Sequence, residues 1–530
     1  MVAIGVEPAL RRRPGATPAA ASPGRRDHGP APRADLPGAG PTGPATATGR
    51  HARHRDRGGV LGRTRSRQDG PVTDRAPVPV SPEGSLREIL RLAVPALGAL
   101  VAQPLFVLVD AAIVGTLGTL PLAGLGAAAS LMSLVLGLCI FLAYATTSSV
   151  ARRVGEGRWD AAVSEGVEGM ALGLGLGVAL AAVTWWLAEP AVVALGASPG
   201  VVPYAVDYLR VVALGFPAAL VALAGVGVLR GLQDTRTTLV VTLVAVTVNL
   251  VLALVLVLGL QRGVAGSAAA TACAEVVQAA AYLLVVRRVA RAHGVGLRPS
   301  GVGMLAAART GGPLFLRTVV LRAVFLVAAA VAARLGAADL AAWHVSFQVW
   351  MLLALAADAL AIAGMALLGR YLGSGDPVGA RRVTGRLVRL GAVTGAVLGG
   401  ALLLCTPWLP SLFSADPLVR GLIAASLVVA ALQQPLASPV FVLDGVLIGA
   451  GDGRWLAGAG LVMLVAFLPA AWLVLARDLG VVGLWWALTW FMVVRGALLW
   501  WRARGSAWLR ASTGADPGSV ESSALGDAGG

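Results

Sequence analysis

Four acidic residues stand inside long apolar runs of the sequence: Asp110, Glu275, Asp358 and Asp444. A carboxylate at the centre of a membrane-spanning helix costs ~2.5–3.5 kcal/mol on insertion scales, so it usually faces an internal cavity or a partner of opposite charge. Burial favours the neutral form, so such a group can take up and release a cation or a proton. Asp110, expected near the middle of its span, is the strongest candidate for this chemistry. The alternative is a structural carboxylate that caps a kinked neighbouring helix.

Two arginines, Arg317 and Arg322, share one apolar run in the second half of the chain. Unpaired charges in apolar helices are costly, so we expect these arginines to pair with Asp358 and Asp444. We predict Arg317 and Asp358 as one pair. An ion-pair network that locks the packing and a set of substrate contacts are equally compatible with this pattern. Uncharged polar residues that could line the same cavity are Gln348, Gln433 and Gln434.

The composition excludes several classes of function. The chain contains no lysine, and a Walker A loop needs its lysine to reach the β- and γ-phosphates of ATP. No Asp-rich motif, histidine pair or nucleophile triad is evident, which argues against a membrane enzyme that acts on prenyl or lipid substrates. The net charge of +16 comes from arginines in the N-terminal tail and in loops, so we expect no nucleic-acid partner. Cys139, Cys273 and Cys405 lack metal-ligand spacing and are interpreted as small buried hydrophobic residues.

The elements that must position these residues are membrane-spanning helices. The chain of 530 residues is 57% hydrophobic and only 13% charged, with a mean hydropathy of +0.77. Its apolar runs hold about 20 residues, which matches the ~30 Å hydrocarbon core at about 1.5 Å per helical residue. The sequence therefore predicts an all-α membrane protein of twelve spans. The predicted spans are 92–115, 122–150, 165–187, 205–229, 237–260, 265–286, 305–333, 340–368, 387–409, 418–447, 455–476 and 481–501.

Arginines mark one side of these spans. The even-numbered connections carry most of the loop arginines, among them Arg152, Arg370 and Arg454. By the positive-inside rule, these connections and both termini are cytoplasmic. Residues 1–85, rich in Pro, Gly, Ala and Arg, and residues 506–530 are expected to be disordered tails. We expect a monomer surrounded by lipid in a bacterial plasma membrane.

The two halves of the chain are copies of each other. An offset of 218 residues aligns Leu117–Gly118 with Leu335–Gly336, and the same offset holds for more than a hundred residues, including Arg152 with Arg370, Pro95 with Pro313 and Pro217 with Pro435. Six helices is an even number, so both halves enter the membrane in the same sense. The sequence predicts two six-helix lobes, 86–300 and 301–505, related by a pseudo-two-fold axis along the membrane normal, with any binding site between them.

Several segments resemble one transporter family. The stretch Gln103–Gly115 resembles the first helix of the multidrug and toxic compound extrusion (MATE) family, and most of all its DinF-like branch. Gly227–Asp234 and Leu443–Gly449 also resemble that family, as does Leu335–Gly336 with Ala341–His344 after it. The resemblance covers residues 86–505.

What the resemblance implies is a secondary antiporter rather than an enzyme. It implies two lobes around a central cavity and export of small amphipathic, often cationic, drugs or toxic metabolites by alternating access. A proton or sodium gradient would drive this export, and no cofactor is needed. A lipid-linked precursor flippase of the same superfamily is the alternative, because Arg317 and Arg322 would suit its cationic cavity, although it would usually have more spans.

The resemblance also assigns roles to residues. It gives ion coupling to Asp110, with Gln103 and Pro95 at matching positions earlier on the same helix. Gln103 lies two turns before Asp110 and so on the same face. Pro95 removes a helical hydrogen bond, and a bend there that responds to protonation is a hypothesis. Asn249 and Thr271 match polar positions of the family's cation pocket in the first lobe.

One departure bears on the coupling ion. The family often carries a second Asp one turn after the Asn, and Ala253 stands there in this chain. This favours protons over a two-carboxylate sodium site, while sodium near Asp110 stays open. Glu275 could supply a replacement charge. No other metal site is expected.

Overall fold

The structure of the protein is a computed structural model that describes residues 85–510, and of Arg510 only the backbone. Every regular element in this range is helical. The expectations of disorder for residues 1–84 and 511–530 lie outside the described residues. Residues 507–510 differ from expectation, because they form a helical turn whose Trp508 is fully buried and donates its indole N–H to the Ala503 carbonyl at 2.9 Å.

The first lobe holds the helices before residue 300. Eight α-helices and one π-helical turn form six spans, because three spans consist of two consecutive pieces. The helices are α1 (Leu86–Gly115), α2 (Thr119–Cys139), α3 (Phe141–Gly155), α4 (Trp159–Ala194), α5 (Val202–Ala213), α6 (Phe216–Gly231), α7 (Thr235–Ala253), the π-helical turn Leu254–Gly259, and α8 (Gly263–Ala292).

The second lobe holds six long helices and begins at Gly301, where the sequence placed its start. A 3-10 turn, Leu409–Leu412, lies in one connection, and the four-residue helix α15 (Ala507–Arg510) follows the lobe. The long helices are α9 (Gly301–Leu335), α10 (Ala337–Gly373), α11 (Pro377–Cys405), α12 (Pro417–Gly449), α13 (Gly453–Ala476) and α14 (Gly480–Arg504). Among the described residues, eleven helices are long and apolar enough to span a membrane, or twelve if the bent pair α5–α6 is one span. The two lobes are related by a pseudo-two-fold axis along the membrane normal.

The two copies differ at the fourth span of each lobe. In the first lobe this span breaks by 56° between α5 and α6, while its equivalent α12 is continuous. Pro217 and Pro435 stand at equivalent positions, and each lacks the N–H that would bond the preceding turn. Gly215 precedes the first of them, whereas Gln433 precedes the second. Glycine is the poorer helix former, which accounts for a break in one copy only.

Equivalent glycines bring helices together in both lobes. On α4, a Cβ at Gly177 would lie 2.7 Å from the Phe216 carbonyl oxygen of α6. Gly395 on α11 is its equivalent, and a Cβ there would collide with the Gln434 carbonyl of α12. Small residues permit such close approach of backbones in membrane helices. The duplication therefore extends to the close packing of helix backbones.

We call one end of the bundle the arginine-rich face. It contains the connections 156–158, 232–234, 293–300, 374–376 and 450–452, which carry or adjoin most of the loop arginines. At this face α3 of the first lobe packs against α10 of the second. The remaining connections lie at the opposite end of the helices.

Candidate functional site

Asp110 is buried in the first lobe. It is 5% exposed, and the Ser267 hydroxyl donates a hydrogen bond of 2.6 Å to its Oδ1. Asp110 lies five residues before the end of α1 and Ser267 four residues after the start of α8, so both are near the end opposite the arginine-rich face. The expectation that Asp110 stands at mid-span is therefore wrong. The carboxylate lies closer to this end of the helix bundle than to the arginine-rich face.

Asn249 and Thr271 are brought together beside this pair. The Asn249 amide nitrogen donates to Thr271 Oγ1 at 3.2 Å, and the Thr271 hydroxyl donates to the Ser267 carbonyl, also at 3.2 Å. The Asn249 Oδ1 is buried and has no hydrogen-bond donor among the described residues. Tyr208, 4% exposed, lies next to Ser267 and Thr271 and within the electrostatic reach of Asp110. We call Asp110, Tyr208, Asn249, Ser267 and Thr271 the first-lobe polar cluster.

Ala253, at the position of the family's second Asp, lies in an apolar environment. It packs in a small cluster with Ile113, Val257 and Ala270. The π-helical turn follows it directly, and π-helical turns often occur at functional sites in other proteins. The first-lobe polar cluster therefore contains one carboxylate, with no second acid one turn after Asn249.

Gln103 and Pro95 share α1 with Asp110 but not its surroundings. Gln103 is exposed and makes no hydrogen bond within residues 85–510. The helix continues as one element from Leu86 to Gly115 through both Pro95 and Pro104. The structure thus holds α1 as a single helix and does not bring Gln103 into the first-lobe polar cluster.

Glu275 extends the polar face of α8. Ser267, Thr271 and Glu275 are spaced by four residues, so they lie on one side of the helix. Glu275 is half-buried, and no ion pair to it is found among the described side chains. It is one turn from Thr271, so a second carboxylate lies on this helix face.

A buried charge cluster lies in the second lobe. Asp444 on α12 is bound by Arg317 of α9 on one side, through contacts to both carboxylate oxygens, and by Arg495 of α14 on the other, at 3.0 Å. All three residues are at most 7% exposed. The predicted pairing of Arg317 with Asp358 is wrong, because Asp444 faces α9 and α14 and takes both arginines. We call Arg317, Asp444 and Arg495 the second-lobe ion cluster.

Asp358 on α10 is half-buried and forms no ion pair within the described part of the chain. Its charged neighbours are Arg317 and Arg495 of the second-lobe ion cluster and Arg230 of the first lobe. Arg230 and Asp358 belong to different lobes and also act electrostatically on Tyr144 of α3. Three arginines and two aspartates therefore meet near the junction of the lobes.

The glutamines fall into different environments. Gln433 accepts a hydrogen bond from the Trp350 indole at 2.9 Å and donates to Thr489 at 3.2 Å, so it ties three helices of the second lobe together. Gln434 is 2% exposed, and its amide nitrogen has no acceptor among the described residues. Gln348 is exposed. The three do not form one cavity wall.

Arg322 lies where the two lobes touch. Its guanidinium occupies the space that a Cβ on Gly137 of α2 would fill. It is exposed, and it makes no ion pair within residues 85–510. Arg322 thus contacts the first lobe rather than joining the second-lobe ion cluster.

Sequence reasoning missed three residues of these two clusters. Ser267 and Tyr208 are common residue types, and neither is marked by charge within an apolar run. Arg495 stands in the apolar run of α14 with the motif Val-Val-Arg-Gly, and the cost of a buried charge could have identified it.

A model of the MatE family matches the chain twice, at residues 95–255 and 313–473. The two matches start 218 residues apart, which confirms the offset of the internal repeat. Curated relatives include Protein DETOXIFICATION 43 of Arabidopsis thaliana, which is 31% identical over 77% of this chain and 88% of that protein. DNA damage-inducible protein F of Escherichia coli is 28% identical over 80% of this chain and 94% of that protein.

Solved structures share the fold. The Vibrio cholerae MATE transporter VcmN in the bent form superposes with a TM-score of 0.73 and 21% identity, over 80% of this chain and 97% of that one. A MOP superfamily transporter from Pyrococcus furiosus gives a TM-score of 0.72 and 23% identity, over 80% and 96%. The twofold family match, the relative that is 31% identical over most of its length and the shared fold lead to one conclusion: the chain belongs to the MATE family of multidrug efflux transporters and is not an enzyme.

Proposed function

We propose that the protein is a secondary antiporter that exports small amphipathic compounds in exchange for protons, by alternating access between its two lobes. The observation that carries this proposal is the environment of Asp110. Its carboxylate is buried and is hydrogen-bonded by one side chain, Ser267, with no arginine beside it in the described residues. A buried carboxylate without a counter-ion can be neutralised by a proton or a cation that reaches it.

The proton is favoured over sodium as the coupling ion. Sodium could find oxygens on Asp110, Ser267, Thr271 and Asn249, whose Oδ1 lacks a donor. However, Ala253 leaves the cluster with one carboxylate where the family often has two. A proton needs only one carboxylate, and protonated Asp110 would itself become a donor to a neighbouring oxygen.

The arginine-rich face is proposed to be cytoplasmic by the positive-inside rule, in a bacterial plasma membrane. Both ends of the described range, Ser85 and Arg510, lie at this face, so both termini would be cytoplasmic. The transporter is proposed to act as a monomer. A lipid-linked precursor flippase would usually have more spans, and family membership gives it no support.

The substrate class has two candidates. Asp358 is half-buried and forms no ion pair with another described residue, so it could contact the cationic group of the amphipathic cations that the family often exports. Arg230, Arg317 and Arg495, set against Asp358 and Asp444, leave one net positive charge at the lobe junction. This second observation favours amphipathic compounds that carry an acidic group.

Measurements of dye transport in proteoliposomes test the proposal. Vesicles with an imposed proton gradient or an imposed sodium gradient would be compared for export of ethidium, a cation, and carboxyfluorescein, an anion. We expect proton-driven export by the native protein and loss of the response to the gradient in Asp110→Asn.

Asp416→Asn is the matched control. Asp416 caps α12 by accepting from the Leu418 N–H at 2.8 Å, and asparagine caps equally well, so export should be unchanged. Full gradient-driven export by Asp110→Asn would overturn the coupling role of Asp110. Preference for carboxyfluorescein would decide for the acidic substrates.

A further inference from the structure

Arg152 and Arg370 occupy equivalent positions in the two lobes, in the last turns of α3 and α10. Each reaches into the other lobe. Arg152 Nη2 donates to the Ala450 carbonyl oxygen at 2.8 Å, and Arg370 Nη1 donates to Gln233 Oε1, also at 2.8 Å. The acceptors lie in equivalent connections, after α12 and after α6. The two contacts therefore cross between the lobes in opposite directions at the arginine-rich face.

The acceptor connections turn through equivalent residues with positive φ, +63° at Gln233 and +78° at Gly451. Glycine adopts this conformation freely, whereas glutamine does so at a cost. At Gly451 a Cβ would collide with the Arg152 guanidinium. The absence of a side chain there lets Arg152 reach the main-chain carbonyl of Ala450. At Gln233 the side chain is itself the acceptor. A strained glutamine that serves Arg370 indicates a function for this contact.

Glycines hold α3 and α10 in direct backbone contact beside these arginines. A Cβ at Gly155 would collide with the Arg370 carbonyl, and a Cβ at Gly373 would collide with the Arg152 carbonyl. Gly155 and Gly373 are again equivalent positions in the repeat. The lobes are thus closed against each other at this face. Each helix contributes one glycine and one carbonyl to the backbone contact.

Arg370 also has a partner on α1. Its Nη1 lies 3.8 Å from Glu88 Oε1, in the first turn of α1. The equivalent position in the second lobe is Ala306, so the pseudo-symmetry breaks at this residue. Glu88 stands 22 residues before Asp110, about 33 Å along the same helix. Gln233 lies two residues before α7, which carries Asn249, so Arg370 holds the starts of two helices that lead to the first-lobe polar cluster.

We propose that Arg152 and Arg370 form a reciprocal latch that closes the arginine-rich face, and that Glu88 connects the latch to Asp110 through α1. An antiporter must open its cytoplasmic face when the driving cation is bound, in order to release it. Neutralising Asp110 should therefore loosen the latch through α1. The latch itself does not depend on the proposed ion coupling, whereas the Glu88 connection does.

A cysteine at position 148 reports whether this face is open. Ser148 is 4% exposed, lines a cavity of about 760 Å³ beside the latch and lies near Gly369 of the other lobe. In full-length protein that lacks Cys139, Cys273 and Cys405, in nanodiscs without substrate or gradient, the modification rate of Ser148→Cys by a charged maleimide would be measured. We expect Arg152→Gln and Arg370→Gln each to raise this rate at least threefold.

Arg153→Gln is the matched control, because Arg153 adjoins Arg152 but pairs with Glu156 and Glu165 of its own lobe. It should leave the rate unchanged. Gln233→Glu gives Arg370 a charged acceptor and should lower the rate, a direction that misfolding would not produce. Equal rates in Arg152→Gln, Arg370→Gln and Arg153→Gln would overturn the latch.

The connection is tested by combining variants. Asp110→Asn should raise the rate at least twofold when Glu88 is present and should have no effect in the Glu88→Gln background. An equal rise in both backgrounds, or no rise in either, would overturn the Glu88 connection. If Asp110→Asn transports normally, the proposed function fails while the latch stands. If it abolishes coupled transport but leaves labelling insensitive to Glu88, coupling stands and the connection fails.

Discussion

Ser267 donates a hydrogen bond of 2.6 Å to Asp110 from a helix 157 residues away in sequence. It is the side chain that holds the carboxylate in place, and the hydroxyl stabilises the ionised form. Hydrogen bonds to charged groups contribute about 1.5–3 kcal/mol. The position and charge state of Asp110 therefore depend on a residue that carries no charge itself.

Ser267→Ala should weaken gradient-driven export, because the ionised form of Asp110 loses its donor. We expect at least a fivefold drop in the export rate with little change in the amount of folded protein. The control is Ser426→Ala, since Ser426 is fully buried and its hydroxyl has no partner among the described residues. Equal rates for the two variants in proteoliposomes would contradict the role of Ser267.

Asp444→Asn should destabilise the fold, because it leaves Arg317 and Arg495 buried without a counter-charge. Breaking a buried pair in this way costs about 3–5 kcal/mol. Asp358→Asn is the comparison, since Asp358 is half-buried and has no ion pair in the described range 85–510, and it should change substrate preference rather than stability. Thermal unfolding in detergent measures the first effect. A smaller loss in Asp444→Asn than in Asp358→Asn would show that the second-lobe ion cluster does not support the fold.

Ala253→Asp should make export respond to sodium. It places a second carboxylate one turn after Asn249, at a residue that packs against Ile113, three residues after Asp110. Ala253→Asn has the same shape without the charge and serves as the control, because both replace a residue packed against Ile113 and Ala270. We expect export driven by a sodium gradient in the aspartate variant alone. A sodium response in both variants, or in neither, would contradict the idea that the number of carboxylates decides between protons and sodium as the coupling ion.

Gly373→Ala and Gly137→Ala should differ in their effect on stability. The Cβ at position 373 meets a backbone carbonyl of Arg152, which cannot move aside. The Cβ at position 137 meets the end of the Arg322 side chain, which can. Overpacking costs typically about 1–3 kcal/mol, so we expect a lower melting temperature for Gly373→Ala and no change for Gly137→Ala. The reverse order would mean that the lobes are not held at the arginine-rich face.

The spans and the duplication could be predicted from the sequence because both are local or linear properties. Hydropathy over about 20 residues locates a span, and a constant offset reveals a repeat. The break between α5 and α6 was not predicted, because Pro217 and Pro435 look alike in the alignment. The difference lies two residues earlier, where the first lobe has Gly215 and the second has Gln433. Whether the helix breaks depends on the proline together with this residue.

Ion partners could not be predicted, because they depend on which faces of three helices meet. The sequence analysis favours Asp358 as the partner of Arg317, but residue spacing does not show which helix faces meet. In the structure the side chains of Arg317 on α9 and Arg495 on α14 both reach Asp444 on α12, so this residue receives both arginines. The predicted span 92–115 already places Asp110 five residues before its end, as in α1, whereas the exposure of Gln103 follows from packing rather than from spacing.

The two halves of the latch differ in how they can be lost. The Arg152 half includes a bond to the main-chain carbonyl of Ala450, an oxygen that every amino acid possesses. The Arg370 half ends on the side chains of Gln233 and Glu88, so a single codon change in either can weaken it. Random mutagenesis should therefore yield leaky transporters from residues 88 and 233 in one half, and from position 451 in the other, where a Cβ would collide with the Arg152 guanidinium. The duplicated gene thus carries one closure that requires the absence of a side chain and one that requires the presence of two.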